Sequence, residues 1–406
     1  MAKIQEGHGI QLDRRRHIFP EEASTLRALG FIFVVSRLFF AEIAGLAYLY
    51  FPHAWAEYPA GVLAGPTSLV YRVLLRLWSH WDGQWYLLIA RRGYGSIQST
   101  AFFPLYPMLV HFLGGGTVVG AVAISWCALA IAVWFLYLLV RLDFGSRIAW
   151  YTVLVLLLFP TSFYTQAVYS ESVFLALAIG SLYCVRTGRY VGAGALGGLA
   201  TLDGIYGVFL AVPLAWTIWR DKGLRLKPLA PVLLVPLGVV LYMVYLTPHY
   251  LDPLVFKAAQ KYWSRGSAQF FGITLWQGLI TAYQSAGSAL SPAALFHSGQ
   301  PSQVLMNFYN FGFAIYGLVV MLLTLRWLPT YLWLYEGLAL LLPLTYPATG
   351  QPFMSLPRLL LEAFPVFIGT GILLERHPRL RLPYFAVSLA LGALFVSLFA
   401  TSHWVA

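Results

Sequence analysis

Apolar residues in this chain come in long blocks, and the polar positions between them are few and clustered. Crossing a hydrocarbon core as a helix takes ~20 predominantly apolar residues. Blocks near that length fall at about 28–50, 117–140, 148–168, 172–186, 229–247, 304–325, 329–347, 357–374 and 383–403. The long stretch 190–219 carries Thr201, Asp203 and Gly204 in its middle, which predicts two short helices meeting at a break. Counted as two, it brings the total to eleven spans. Residues 51–116 and 248–303 contain no span-length apolar run and read as long loops. Within the first, Arg72 and Arg76 lie four apart, opposite Val73, Leu74 and Leu77. That pattern predicts an amphipathic helix lying on a membrane surface. Phe102 to Phe112 is too short to span and holds two prolines, so it reads as re-entrant or interfacial. Ser24 and Thr25 stand ready as N-caps ahead of the first span.

Composition agrees with this pattern. The 406 residues are 59% hydrophobic and 10% charged, with a mean hydropathy of +0.72, which excludes an ordinary soluble domain. The fold class is an all-α polytopic membrane protein, a single domain over residues 1–406. Basic clusters at 14–16, 141–147, 186–189, 220–227 and 376–381 all fall on one side when eleven spans are counted. Positive charge retained in the cytoplasm then places segment 1–27 inside, and both long loops and the C-terminus outside. The chain would be a multi-pass protein of the plasma membrane in a prokaryote. The +11 charge is spread over short loops rather than gathered on one domain, so it marks topology and not nucleic-acid binding. Cys127 and Cys184 both lie in apolar runs, which indicates neither a disulfide framework nor a zinc site. The long first apolar run, set behind a charged head, does not read as a cleaved signal peptide.

Chemistry concentrates in the outer loops. Trp78-Ser79-His80-Trp81-Asp82-Gly83-Gln84-Trp85-Tyr86 sets one carboxylate among aromatic rings able to stack on a sugar. The bland alternative is an interfacial aromatic belt. Arg72, Arg76, Arg91 and Arg92 in the first loop, with Lys257, Lys261 and Arg265 in the second, are cations that topology does not demand. They suit an anionic phosphate, or the headgroups of membrane lipids. Of the carboxylates, Glu57, Asp82, Glu171, Asp252 and Asp203 fall at or near the outer side, whereas Glu42, Glu336 and Glu362 lie within spans. Sugar transfer from a lipid phosphate needs a base for the acceptor hydroxyl and cations for the departing phosphate. Asp82 suits the base and Glu171 is second, although Glu171 could equally cap the next helix. Asp252 could start a helix on which Phe256, Lys257, Gln260 and Lys261 share a face. Arg358, after Pro357, is placed to clamp a phosphate, with snorkelling to headgroups as its alternative. A divalent cation held by His80 and Asp82 is a weaker alternative, because two ligands make no recognisable cluster.

The string Trp81-Asp82-Gly83-Gln84-Trp85-Tyr86, with Ile89-Ala90 and Gly93-Tyr94, resembles the "WDxxWYxxIAxxGY" signature of the PIG-V-like family. That family comprises GPI mannosyltransferase 2 and its bacterial relatives, within the GT-C class of membrane glycosyltransferases. The likeness continues through Phe102-Phe103-Pro104-Leu105-Tyr106-Pro107, Phe159-Pro160-Thr161-Ser162, Tyr169-Ser170-Glu171-Ser172 and Asp252-Pro253-Leu254, to Ser355-Leu356-Pro357-Arg358 and Phe364-Pro365. It implies a GT-C-like bundle with an essential acid in the first outer loop, pointing again to Asp82. It also implies a polyprenyl-phosphate-mannose donor, a glycan or glycolipid hydroxyl as acceptor, and an inverting single displacement. His80, Trp81, Trp85, Tyr86, Arg91, Arg92, Asp252, Lys257, Lys261, Arg265 and Arg358 are the binding candidates beside Asp82 and Glu171. One departure stands out: where such proteins read "LTRPxG", this chain has Leu202-Asp203-Gly204. The competing reading is a transporter or flippase of a lipid-linked sugar, which would place its polar residues on broken helices near mid-membrane. A non-catalytic scaffold would leave the aromatic setting of Asp82 unexplained.

Overall fold

The computed structural model describes residues 20–54, 68–296 and 302–405. The basic run at 14–16 and Glu57 lie outside the described residues. Among those described, regular structure is helical apart from isolated bridges pairing Arg265 with Ala348 and Ala348 with Gln351. Among the described residues, five helices are long and apolar enough to cross a membrane: Ser24–Tyr50, Val118–Phe144, Leu226–Tyr250, Val304–Thr324 and Pro378–Ala400. The break expected in 190–219 is present. Tyr190–Asp203 ends at Gly204, a 3-10 turn follows over Ile205–Leu210, and Ala211–Lys222 completes the segment.

Four stretches depart from the pattern read along the chain. The span expected at 148–168 is a helix only over Ser146–Leu158. Phe159, held extended ahead of Pro160, ends it, because proline disfavours helical backbone in the residue before it. Residues 159–170 then run through the interior as turns and a 3-10 segment, Ser162–Gln166. Their carbonyls need donors, and Arg37 of the first helix supplies them. Its Nη1 donates to the Ser162 carbonyl at 2.9 Å and Nη2 to the Leu157 carbonyl at 2.8 Å. The same fork reaches the hydroxyls of Thr165 and Ser162.

The span expected at 357–374 is likewise split, into Leu356–Leu359 and Pro365–Arg376, with residues 360–364 forming turns before Pro365. The loop 248–303 contains a 19-residue helix, Phe271–Ala289. Its Thr274, Gly278, Ala282, Ser285 and Ala289 are buried at helical spacing, and it packs on Ser302–Thr324. Small residues let two helices approach closely. A Cβ on Gly278 would overlap the Phe353 ring. Such a stripe carries little hydropathy, which is why the segment reads as a loop.

The amphipathic helix of the first loop is shorter than its pattern suggests. Leu69–Leu74 is α-helical and Arg76–Ser79 is 3-10, with a turn at Leu75 between them.

Candidate functional site

Asp82 opens the helix Asp82–Arg92 and Glu171 opens Glu171–Arg186. Both carboxylates therefore stand at helix N-termini, where the aligned peptide dipoles favour negative charge. They converge on one cation. Arg358 Nη1 donates to Asp82 Oδ2 at 2.5 Å, and its Nε lies 3.2 Å from Glu171 Oε1. The Asp82 and Arg358 side chains are 13% and 14% exposed, so this pair opens on solvent only narrowly. The Nε contact is a charge contact without hydrogen-bond alignment, and Glu171 Oε2 is buried without a partner. Tyr164 and Tyr169 present their ring faces to the guanidinium, at 5.7 and 5.3 Å. A cation between two carboxylates and two rings is held in one orientation.

The backbone that carries these groups is strained on both arms. Trp81, just before Asp82, has φ 55°, and Ser355, three residues before Arg358, has φ 67°. Non-glycine residues in this region cost of order 1–3 kcal/mol each and persist only where the surroundings enforce them. The enforcement is visible. Val168 N donates to the Trp78 carbonyl at 2.9 Å, Tyr169 Oη donates to the His80 carbonyl at 3.1 Å, and Thr161 Oγ1 donates to the Pro357 carbonyl at 2.7 Å. Gly83 permits the close approach, since a Cβ there would stand 3.2 Å from the Val168 carbonyl oxygen. The irregular segment 159–170, fixed by Arg37, is thus the block against which both arms are set.

Other candidates sort cleanly. Arg265 joins the cluster: its Nη2 donates to the Met354 carbonyl at 3.0 Å, and its charge interacts with Arg358, Asp82 and Glu362. Burial, the largest influence, lowers the Arg265 guanidinium below its ordinary value. His80 donates from Nδ1 to the Phe399 carbonyl at 2.9 Å, and burial pushes its imidazole down to about 4, which keeps it neutral. Trp81 meets Trp404 edge-on, Trp85 stacks on Phe102, and Tyr86 shares a hydrogen bond with Ser170 at 2.9 Å. These rings form the wall around Asp82.

The remainder lie elsewhere. Asp252 Oδ1 accepts from Leu254 N at 2.8 Å, a local cap on an exposed turn. Lys257 and Lys261 are exposed, whereas Phe256 packs on Phe103 and Tyr242. The shared face expected for these residues is lost because Val255–Ala258 passes into a 3-10 turn. Arg91 is exposed and donates from Nε to the Gly116 carbonyl, and Arg92 is also exposed. Both line a separate apolar pocket of about 640 Å³ with Tyr94, Met108 and Tyr242. Two members of the cluster were not among the catalytic or binding candidates read from the sequence. Asp203 is buried, with both carboxylate oxygens unpartnered and in electrostatic contact with Glu362 and Glu171. Glu362 sits in the turns between the two halves of the split span. A proline at both ends of that segment was the signal that could have found it. Among the described residues no group of three His, Cys, Asp or Glu side chains is arranged to hold a metal ion.

Comparison with known proteins bears out the family resemblance over the first part of the chain. Residues 65–219 match the family described as Mannosyltransferase (PIG-V), a stretch that holds Asp82 and Glu171. Over 153 residues the chain is 29% identical to GPI mannosyltransferase 2 of Schizosaccharomyces pombe, covering 36% of this chain and 33% of that protein. The matched region is thus a third of that relative's length. Among solved structures, ArnT from Cupriavidus metallidurans bound to undecaprenyl phosphate aligns over 90% of this chain and 77% of its own, with 15% identity and a TM-score of 0.38. Archaeal oligosaccharyltransferase AglB from Archaeoglobus fulgidus, in complex with an inhibitory peptide and a dolichol-phosphate, aligns over 92% of this chain and 55% of its own, with 12% identity and a TM-score of 0.41.

Proposed function

Taking residues 65–219 as a segment of the PIG-V mannosyltransferase family, we propose that the chain is a GT-C glycosyltransferase that moves mannose from a polyprenyl-phosphate donor to a hydroxyl of a glycan or glycolipid. The observation that carries the reading is the convergence of Asp82 and Glu171 on Arg358 inside an aromatic wall. In the proposed reaction Asp82 accepts the proton of the acceptor hydroxyl. The oxygen attacks the anomeric carbon from the face opposite the phosphate. As that bond forms, the carbon–oxygen bond to the phosphate breaks and its electron pair leaves with the phosphate. Configuration at the carbon inverts. Charge then builds on the phosphate, and Arg265 with the outer edge of Arg358 is the cationic pair nearest to receive it. Arg358 has a second task, holding Asp82 in place while Glu171 balances its charge.

A flippase would need no general base and no second carboxylate against the same arginine. The positive charges at 141–147, 186–189, 220–227 and 376–381 support an outer-face site through eleven spans. Purified protein incubated with synthetic polyprenyl-phosphate-mannose and acceptor glycolipid should transfer radiolabelled sugar, and should discriminate against other polyprenyl-phosphate sugars. Movement of the lipid-linked sugar across vesicles with no glycosidic bond formed would reject the enzyme in favour of the flippase.

A further inference from the structure

A polar cavity lies beside the Asp82 loop, with a volume of about 220 Å³. Tyr48, His53, Arg72, Arg76, His80 and Gln84 line it. Gln84 stands two residues after Asp82, and at 100° per residue its side chain leaves the helix on nearly the opposite face. The cavity is therefore separate from the Arg358 cluster, although one helix start serves both.

Its lining is cationic and incompletely satisfied. Arg72 and Arg76 come from successive turns, and among the described residues neither meets a carboxylate. Arg72 Nε is buried without a hydrogen-bond partner. The Gln84 amide nitrogen donates to the Ser79 carbonyl at 2.6 Å, which orients the side chain, while its oxygen Oε1 is buried and unpartnered. Burial, followed by the charge of Arg72, lowers the His53 imidazole from its ordinary value. Burial chiefly, with Arg76 and His53 adding, lowers His80.

Two guanidiniums that meet no counter-charge among the described residues call for an anion, and their planar forks match phosphate oxygens. An amide oxygen fixed beside them calls for a donor, which a fully ionised phosphate lacks. We propose that this cavity binds a phosphate ester bearing a free hydroxyl, of the size of a glycerol phosphate. Arg72 and Arg76 take the phosphate oxygens, and Gln84 Oε1 accepts from the hydroxyl. The same group can arrive as the headgroup of an anionic phospholipid or on a water-soluble phosphate ester, and the two carriers are separable by experiment.

The full chain in phosphatidylcholine nanodiscs is titrated calorimetrically with sn-glycerol 1-phosphate and with inorganic phosphate. In parallel, retention of phosphatidylglycerol over phosphatidylcholine is read by native mass spectrometry. Charge-assisted hydrogen bonds to phosphate support an affinity loss of about tenfold or more in Arg72→Gln/Arg76→Gln. Gln84→Leu should erase the preference for glycerol phosphate over inorganic phosphate while leaving phosphate binding itself. Binding of the soluble ester supports the site with a soluble carrier. Retention of phosphatidylglycerol alone, lost in the double variant, supports it with a lipid carrier. If the double variant does not fold, the single Arg72→Gln and Arg76→Gln proteins carry the same comparison. Equal binding of both probes and equal lipid retention by wild type and folded variants would overturn the proposal. None of these readouts depends on sugar transfer.

Discussion

Arg37 and Arg358 both reach into the interior, and their surroundings are opposite. Arg37 is wholly enclosed, and its hydrogen-bond partners are neutral: the carbonyls of Leu157 and Ser162 and the hydroxyls of Ser36, Ser162 and Thr165. Arg358 sits between two carboxylates and two tyrosine rings. The first guanidinium replaces the hydrogen bonds that a helix would have made, so that irregular backbone can run through the interior. The second fixes acidic side chains whose own helices have delivered them there. Burial by itself does not mark a site. The charge of what surrounds the buried group does.

Removing each cation breaks the comparison in a different place, and Arg37→Ala should have the largest effect. It strands the Leu157 carbonyl and the Ser162 hydroxyl, at ~1–3 kcal/mol each, and takes a donor from the Ser162 carbonyl and the Thr165 hydroxyl, which keep each other, for a loss on the order of 5 kcal/mol. Thermal unfolding in detergent should show it. A variant that melts like wild type would mean that segment 159–170 holds itself.

Asp82→Asn comes next and should act on rate alone. It keeps the side chain's size and an oxygen for Arg358, but asparagine takes up no proton at neutral pH. Loss of a positioned base typically lowers turnover 10²–10⁴-fold, about 3–5 kcal/mol of barrier. Melting should be nearly unchanged. Asp82→Glu should lose on the order of a hundredfold, because its extra methylene moves the carboxylate by about an ångström. Near-normal turnover by folded Asp82→Asn would remove Asp82 as the base.

Arg358→Lys should follow, with a loss of about ten- to a hundredfold, since one ammonium cannot serve Asp82, Glu171 and a phosphate in the fixed geometry of the planar fork. Equal activity of the lysine protein would reduce Arg358 to a bare point charge.

How much of this was legible along the chain follows from the same contrast. Asp82, Glu171 and Arg358 were found as single residues, through motif and aromatic setting. Their meeting was not, because it depends on a loop, a break and a split span folding together. Arg37 was passed over: an arginine in the middle of the apolar run 28–50 asks for a partner, but that partner exists only where Pro160 has ended another helix. Hydropathy found the long apolar helices and the break at Gly204. It missed Phe271–Ala289, whose contact face is made of small residues, and it fused what Pro160 and Pro365 separate. Asp203 lies in the departure from the "LTRPxG" pattern, but a departure reads as a lost contact and says nothing of the burial that joins Asp203 to the cluster.

Glu171→Gln should have the smallest effect, and it separates the two carboxylates. Glu171 makes no aligned hydrogen bond to Arg358, and its Oε2 is unpartnered, so it contributes charge rather than geometry. The neutral amide leaves Arg358 paired with Asp82 alone, which strengthens the guanidinium's hold on the base and makes it a poorer proton acceptor. A fall of about tenfold in turnover is expected, of the order of one charged contact near 1.4 kcal/mol. The loss of an acid from the first turn of Glu171–Arg186 should cost stability only ~0.3–1 kcal/mol. If capping were its whole role, melting would fall by that amount and turnover would not change. If Glu171 were the base, its loss would exceed that of Asp82→Asn. The ranking of the two amide variants, measured on the same preparation with the same donor, therefore assigns the proton, and the structure's own asymmetry puts Asp82 first.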